Sequence, residues 1–191
     1  MKTTSDKQVT IYCSSSNEIP AIYFSETEKA IRKLTERGYG IRYGGGDRGL
    51  MGTVANTALK HGGKITGIIP VFMIEREWEH KGITELIHVK TMHERKALLL
   101  HNSCAVIAFP GGVGTIDELF DAVSLKKLGF YPYPIIIFNI NNYFDPLNKL
   151  MLKMTGENFL DTSDDLLNIA ASADEIIEII ETSFKLIVNR K

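Results

Sequence analysis

Short unbroken apolar runs and longer amphipathic stretches alternate along this chain. Apolar runs without polar alternation predict buried strands at 9–13, 65–69, 104–109 and 134–138. A further strand is predicted at 39–43, with short ones at 86–89 and 166–170. Between them, apolar positions recur at helical spacing. Pro20 opens a helix over 20–37 whose apolar positions are Ile22, Ala30, Ile31 and Leu34, and Gly38 stops it. Helices follow at 50–61, 92–101, 115–128, 142–154 and 173–188, the last strongly amphipathic. The charged and aromatic segment 72–82, with Trp78, reads as loop or short helix.

Strands alternating with helices of this length predict an α/β fold, a doubly wound, mostly parallel sheet flanked by helices. No repeat, linker or low-complexity tract interrupts it, so residues 1–191 are expected to form one nucleotide-binding α/β domain. In such sheets ligands bind beyond the carboxyl ends of the strands, where strand order reverses. Three loops are expected on that edge: 14–17, 44–49 and 110–115.

Composition narrows the class. The formal net charge of −1, with 24% charged and 44% hydrophobic residues, argues against nucleic-acid and membrane partners. The first residues carry no signal-peptide apolar core, and no run approaches membrane-spanning length. Cys13 and Cys104 both fall in predicted strands and read as free buried thiols. The expected compartment is the cytoplasm.

Candidate chemistry concentrates in AVIAFPGGVGTIDE, where a buried strand runs through Pro110, Gly111, Gly112, Val113 and Gly114 into a helix near Thr115. Glycines let backbone N–H groups approach a ligand, and a helix start leaves such groups unpaired with partial positive charge. The combination predicts an anion site, with phosphate as the expected anion. Two carboxylates, Asp117 and Glu118, follow at once. Thr115-x-x-Glu118 also fits a capping box, so capping and catalysis both stand open for Glu118.

Gly44, Gly46 and Gly49 satisfy G-x-G-x-x-G between a strand and a helix. The dinucleotide reading lacks its acidic residue after the next strand, and the P-loop reading lacks Lys-Ser/Thr. Nucleotide contact and a tight packing turn remain. In TMHERKALLL, Met92, Arg95 and Leu99 share a helix face, with Lys96 adjacent. Cations this early in a helix oppose its dipole, which points either to an anionic partner in the crevice or to plain surface charge. His93-Glu94 has Ala97 where a zinc motif needs histidine, and no G-x-S-x-G elbow occurs.

PGGVGTIDE at 110–118, with YGGGDRGLMG at 43–52, GIIP at 67–70 and MHERK at 92–96, resembles the LOG ("lonely guy") family. These are cytokinin riboside 5′-monophosphate phosphoribohydrolases, formerly labelled lysine decarboxylases. The resemblance spans residues 9–152. It implies hydrolysis of the N-glycosidic bond of AMP or N6-modified riboside monophosphates, with Arg95 and Glu118 as the catalytic pair. By the same resemblance Pro110, Gly111, Gly112, Val113, Gly114 and Thr115 hold the 5′-phosphate. Met92 and Lys96 line the site, and Ser14 with Gly44, Gly45 and Gly46 completes it. It implies neither a metal nor an organic cofactor, and a homodimer. The family has glycine where Ser14 stands, tryptophan near Leu125 and glutamate where Asp117 stands. A non-catalytic nucleotide or molybdenum-cofactor carrier of the same fold is the alternative reading. A decarboxylase would need a pyridoxal phosphate lysine, for which no context is visible.

Overall fold

Residues 7–74, 78–161 and 165–189 are described by the structure, a computed structural model. Seven strands, β1 (Gln8–Tyr12), β2 (Gly40–Tyr43), β3 (Ile65–Pro70), β4 (Glu85–Val89), β5 (Ser103–Ala108), β6 (Ile135–Phe138) and β7 (Asn168–Ala170), form one sheet. Its order is β4-β3-β2-β1-β5-β6-β7, and every pairing is parallel. The helices are α1 (Ala21–Glu36), α2 (Gly49–Lys60), the four-residue α3 (Val71–Ile74), α4 (Met92–Leu100), α5 (Val113–Lys127), α6 (Asp145–Gly156) and α7 (Ala173–Asn189).

The unbroken apolar runs are buried on both faces because strand side chains alternate between them. In β5 and the residue after it, Ala105, Ile107 and Phe109 join the core beneath α1, α2 and α7. Val106 and Ala108 point the other way and pack with Leu99 of α4 and Leu119 and Ala122 of α5. Between β1 and β5 the direction of winding reverses. The crevice therefore opens at their carboxyl ends, and the backbone N–H of Ser14 donates to the carbonyl of Pro110 across it at 3.2 Å.

Three expectations differ from the structure. Helix α5 begins at Val113, not Thr115: Gly112 is its N-cap, in extended conformation (φ −85°, ψ −156°), and makes no side-chain cap hydrogen bond. Thr115 therefore sits one turn inside the helix, and the Thr115–Glu118 capping box does not form. The helix predicted over 142–154 is α6, shifted to Asp145–Gly156, because Asn141 and Asn142 adopt left-handed backbone (φ 51° and 59°) and interrupt it. Pro146, in the first turn of α6, is well suited to a helix start. Of segment 72–82, Val71–Ile74 is helical and Glu79 bridges to Gly46, while 75–77 lies outside the described residues.

A reciprocal cap, one residue out of register from a capping box, forms at α4, whose N-cap is Thr91. Thr91 Oγ1 accepts from the Glu94 N–H at 3.1 Å, and Glu94 Oε2 reaches back to the N–H of Lys90 at 2.8 Å. The other end of α4 lacks a glycine cap. Its last carbonyls are met by buried polar side chains of the central strands: Arg42 Nη1 donates to Leu98 O and His101 O, both at 2.6 Å, and Thr10 Oγ1 donates to Leu99 O at 2.5 Å. Orphan helix carbonyls so close to the core need such partners, which explains an arginine in the run at β2. The result is a short helix held at both ends, with Arg95 on its inner face.

Candidate active site

A cavity of about 450 Å³ opens at the carboxyl edge of the sheet, between the loops that follow β1, β2 and β5. At its base Arg95 Nη1 lies 2.9 Å from Glu118 Oε1, and the two side chains are only 7% and 6% exposed. Arg95 Nε also donates to the carbonyl of Ile68 at 3.0 Å, and Nη2 to that of Gly44 at 3.4 Å. The guanidinium is thus stretched between the end of β3, the loop after β2, and α5. A Cβ at Gly44 would lie 2.3 Å from Arg95 Nη2, so glycine there is what lets the cation through.

Burial raises the Glu118 carboxyl above its ordinary value, and the facing Arg95 opposes the shift. Asp117 and Asp121 push the same way as burial, and Lys96 pushes against it. A carboxylate in this balance can both hold a positive partner and take up a proton. Cys13 shares the cavity wall, but burial drives its thiol far above the range where it would ionise, so it is no nucleophile.

Above this pair stands the start of α5. Gly112, Gly114 and Thr115 line the cavity, and among the described residues no side chain caps the first helical N–H groups. A Cβ at Gly112 or at Gly114 would meet nothing within 4 Å. Packing does not demand glycine at these two positions. Gly111 is different, since a Cβ there would sit 2.1 Å from Thr115 Oγ1 and 3.0 Å from the Ser14 nitrogen.

Helix α2, which follows the G-x-G-x-x-G turn, has no such opening. The N–H of Gly49 donates to Asn17 Oδ1 at 2.7 Å, and that of Met51 to the carbonyl of Ser14 at 3.2 Å. Gly49 is left-handed (φ 57°), and a Cβ on it would stand 2.4 Å from Ser16 O. The packing-turn reading holds for Gly49. Gly44 and Gly46 line the cavity.

The family described as "Possible lysine decarboxylase" matches residues 51–182. A cytokinin riboside 5′-monophosphate phosphoribohydrolase from Rhodococcoides fascians is 38% identical over 155 residues, 81% of this chain and 78% of the relative. One from Arabidopsis thaliana is 31% identical over 176 residues, 92% of this chain and 83% of the relative. The chain belongs to the LOG family. Among solved structures, the molybdenum cofactor carrier protein of Chlamydomonas reinhardtii superposes with a TM-score of 0.72 at 14% identity, covering 94% of this chain and 98% of that one. The molybdenum cofactor binding protein of Rippkaea orientalis gives 0.70 at 20% identity over 92% and 96%. At those identities the likeness is one of fold.

In this LOG chain the cavity gathers Ser14, Gly44, Gly46, Met92, Arg95, Gly112, Gly114, Thr115 and Glu118 from the residues that the sequence singles out. The Ser14 hydroxyl accepts from the N–H of Ser16 at 3.0 Å, which leaves its own proton to donate. The other five are near but not on the wall. Pro110 acts through its carbonyl, Gly111 packs on Thr115, and Gly45 (φ 82°) packs against Ile69. Val113 points outward, 87% exposed. Lys96 Nζ lies 3.2 Å from Asp117 Oδ1 and 3.3 Å from Asp121 Oδ1, off the cavity wall.

Sequence reasoning missed the apolar flank of Met51, Ile69, Met73 and Trp78, and the cation Arg48. Two signals pointed that way. Arg48 and Met51 lie inside GGGDRGLMG, and Trp78 is the chain's one tryptophan.

Proposed function

We propose that this LOG protein hydrolyses the N-glycosidic bond of adenosine 5′-monophosphate or its N6-modified relatives, releasing the free base and ribose 5-phosphate. The observation that carries this is a buried Arg95–Glu118 pair in the same cavity as an uncapped, glycine-edged helix start. The 5′-phosphate takes the N–H groups at the start of α5, with Ser14 beside it. The apolar flank of Met51, Ile69, Met73 and Trp78 receives the base.

With both ends held, the ribose lies over Glu118. Cleavage of the bond from C1′ to the base nitrogen leaves positive charge on the sugar, which the Glu118 carboxylate stabilises. The bonding electron pair departs with the base. Water adds to C1′ and gives its proton to Glu118, from which it passes to solvent or to the leaving base. Arg95 keeps the carboxylate ionised and aimed. No step here calls for a metal or an organic cofactor.

Residues 1–191 act in this reading as one nucleotide-binding domain, paired with a second copy in the cytoplasm. Exposed apolar side chains at Val113, Leu128 and Phe130 support pairing, and two free buried cysteines support a reducing compartment. Among the described residues no helix is long and apolar enough to cross a membrane.

The test is free-base release from AMP and isopentenyl-AMP, followed by chromatography. Release of base together with ribose 5-phosphate is the expected result. Tight nucleotide binding without release from either substrate would refute hydrolysis and favour a carrier.

A further inference from the structure

Lys96 is the one conspicuous cation of the MHERK stretch that the proposed hydrolysis does not absorb. It follows Arg95 on α4, and its ammonium sits almost equidistant from Asp117 Oδ1 (3.2 Å) and Asp121 Oδ1 (3.3 Å) on α5. Those two aspartates are four residues apart and so share one face of the helix. Glu118 lies directly after the first of them. Among the described residues, the ion pairs that join α4 to α5 are Arg95–Glu118, Lys96–Asp117 and Lys96–Asp121.

We propose that Lys96 is a positioning residue: by gripping Asp117 and Asp121 it sets the rotation of α5 against α4 that brings Glu118 onto Arg95. The inference rests on the hydrolytic reading of the site. A single ion pair fixes one distance, whereas a fork onto residues i and i+4 also fixes how the helix is turned. Rotation of α5 by one residue, about 100°, would carry Glu118 away from the guanidinium. Lys96 is only 21% exposed and lies off the cavity wall, so its ammonium has given up part of its hydration for these two carboxylates.

The grip has an electrostatic side. The groups facing Glu118 are Arg95 and Lys96 from α4, Asp117 and Asp121 from its own helix, and Tyr12 and Cys13 from β1. Asp117 and Asp121 push the Glu118 carboxyl up, and Lys96 and Arg95 push it down. Removing Lys96 leaves the two aspartates unopposed there.

The experiment compares wild type, Lys96→Met, Lys96→Arg and the double variant Asp117→Asn/Asp121→Asn. Base release from AMP is measured across pH, together with NMR titration of the Glu118 carboxyl carbon. Lys96→Met should lower kcat about tenfold with KM for AMP within about threefold, the signature of lost alignment. Its Glu118 midpoint and the acid limb of kcat/KM should both move to higher pH, and Lys96→Arg should restore kcat. In the double variant kcat should also fall, but the Glu118 midpoint should move to lower pH. A raised KM at unchanged kcat in Lys96→Met, or an unmoved Glu118 midpoint, overturns the proposal. If Lys96→Met does not fold, Asp121→Asn alone removes one arm of the fork and is read the same way, with Glu118 moving down. A wild type that releases no base while the Glu118 midpoints move as stated would sink the hydrolytic reading and leave the grip standing.

Discussion

Replacing Gly44 by alanine tests whether the Arg95–Glu118 alignment drives turnover, without removing any functional group. The added Cβ would lie 2.3 Å from Arg95 Nη2 and 3.1 Å from Met51 Cε. Ordinary contact begins near 3.5 Å, so the guanidinium tip must withdraw by about 1 Å. Gly44 is not among the glycines with positive φ, so alanine adds no backbone strain. Withdrawal weakens the hydrogen bond to Gly44 O, already long at 3.4 Å. That loss is about 0.5–1 kcal/mol, and the smaller unfolded-state entropy of alanine returns about 0.4–1 kcal/mol. Stability should hardly move, with Tm shifting by no more than about 4 °C. Activity should fall steeply, because a misplacement of about 1 Å costs on the order of 100-fold, or about 2.7 kcal/mol of barrier. Initial rates of base release from AMP, beside a thermal melt, decide it. A variant within about threefold of wild-type kcat would refute the alignment requirement. A Tm loss above about 10 °C would refute the claim that the side chain yields and the backbone does not.

Other substitutions separate the parts of the site. Glu118→Gln should lower turnover by about 10²–10⁴-fold. Because the Glu118 carboxyl is raised in the fold from its ordinary 4.5, its stabilising contribution is full below pH 4.5 and is lost as pH rises through the folded value. The melting temperature of Glu118→Gln should therefore gain on wild type between acid and neutral pH in a thermal-shift series; a constant gap would contradict the raised carboxyl. In wild type, kcat/KM should fall on the acid side through a midpoint above 4.5. Gly114→Ala adds a Cβ where nothing lies within 4 Å, so it should stabilise the fold by about 0.5–1 kcal/mol, raising Tm by about 1–4 °C, while raising KM for AMP at least about tenfold. Unchanged KM would remove the phosphate from the start of α5. Gly49→Ala should cost about 2–5 kcal/mol, from left-handed backbone and from its 2.4 Å approach to Ser16 O, and lower Tm by about 4–20 °C in differential scanning calorimetry.

Much of this protein was written in local pattern. Period and punctuation sufficed for the seven strands and most helix bounds, because burial on both faces demands unbroken apolar runs and a buried helix stripe demands its spacing. The same pattern, read with the rule that ligands gather at a reversal of strand order, brought 14–17, 44–49 and 110–115 to one edge. Arg95 stood out because a cation early in a helix needs a reason, and Glu118 because it follows a glycine-edged helix start.

Tertiary contact decided what those residues do. Two helix starts follow glycine turns, and only the fold shows α2 closed by Asn17 and Ser14 while α5 is left without a side-chain cap. Thr-x-x-Glu occurs at 91–94 and at 115–118, and the first caps its helix while the second does not, because α5 starts at Val113 with Gly112 as its N-cap. Lys96 belongs by its motif to the site and by its contacts to the seam beside it. Periodicity reports which face a residue occupies, since that depends on near neighbours in the chain. It cannot report which distant group meets that face, and the partners of Gly49, Arg95 and Lys96 are 32, 23 and 21 residues away or more. Only packing of the whole sheet brings them within hydrogen-bonding reach.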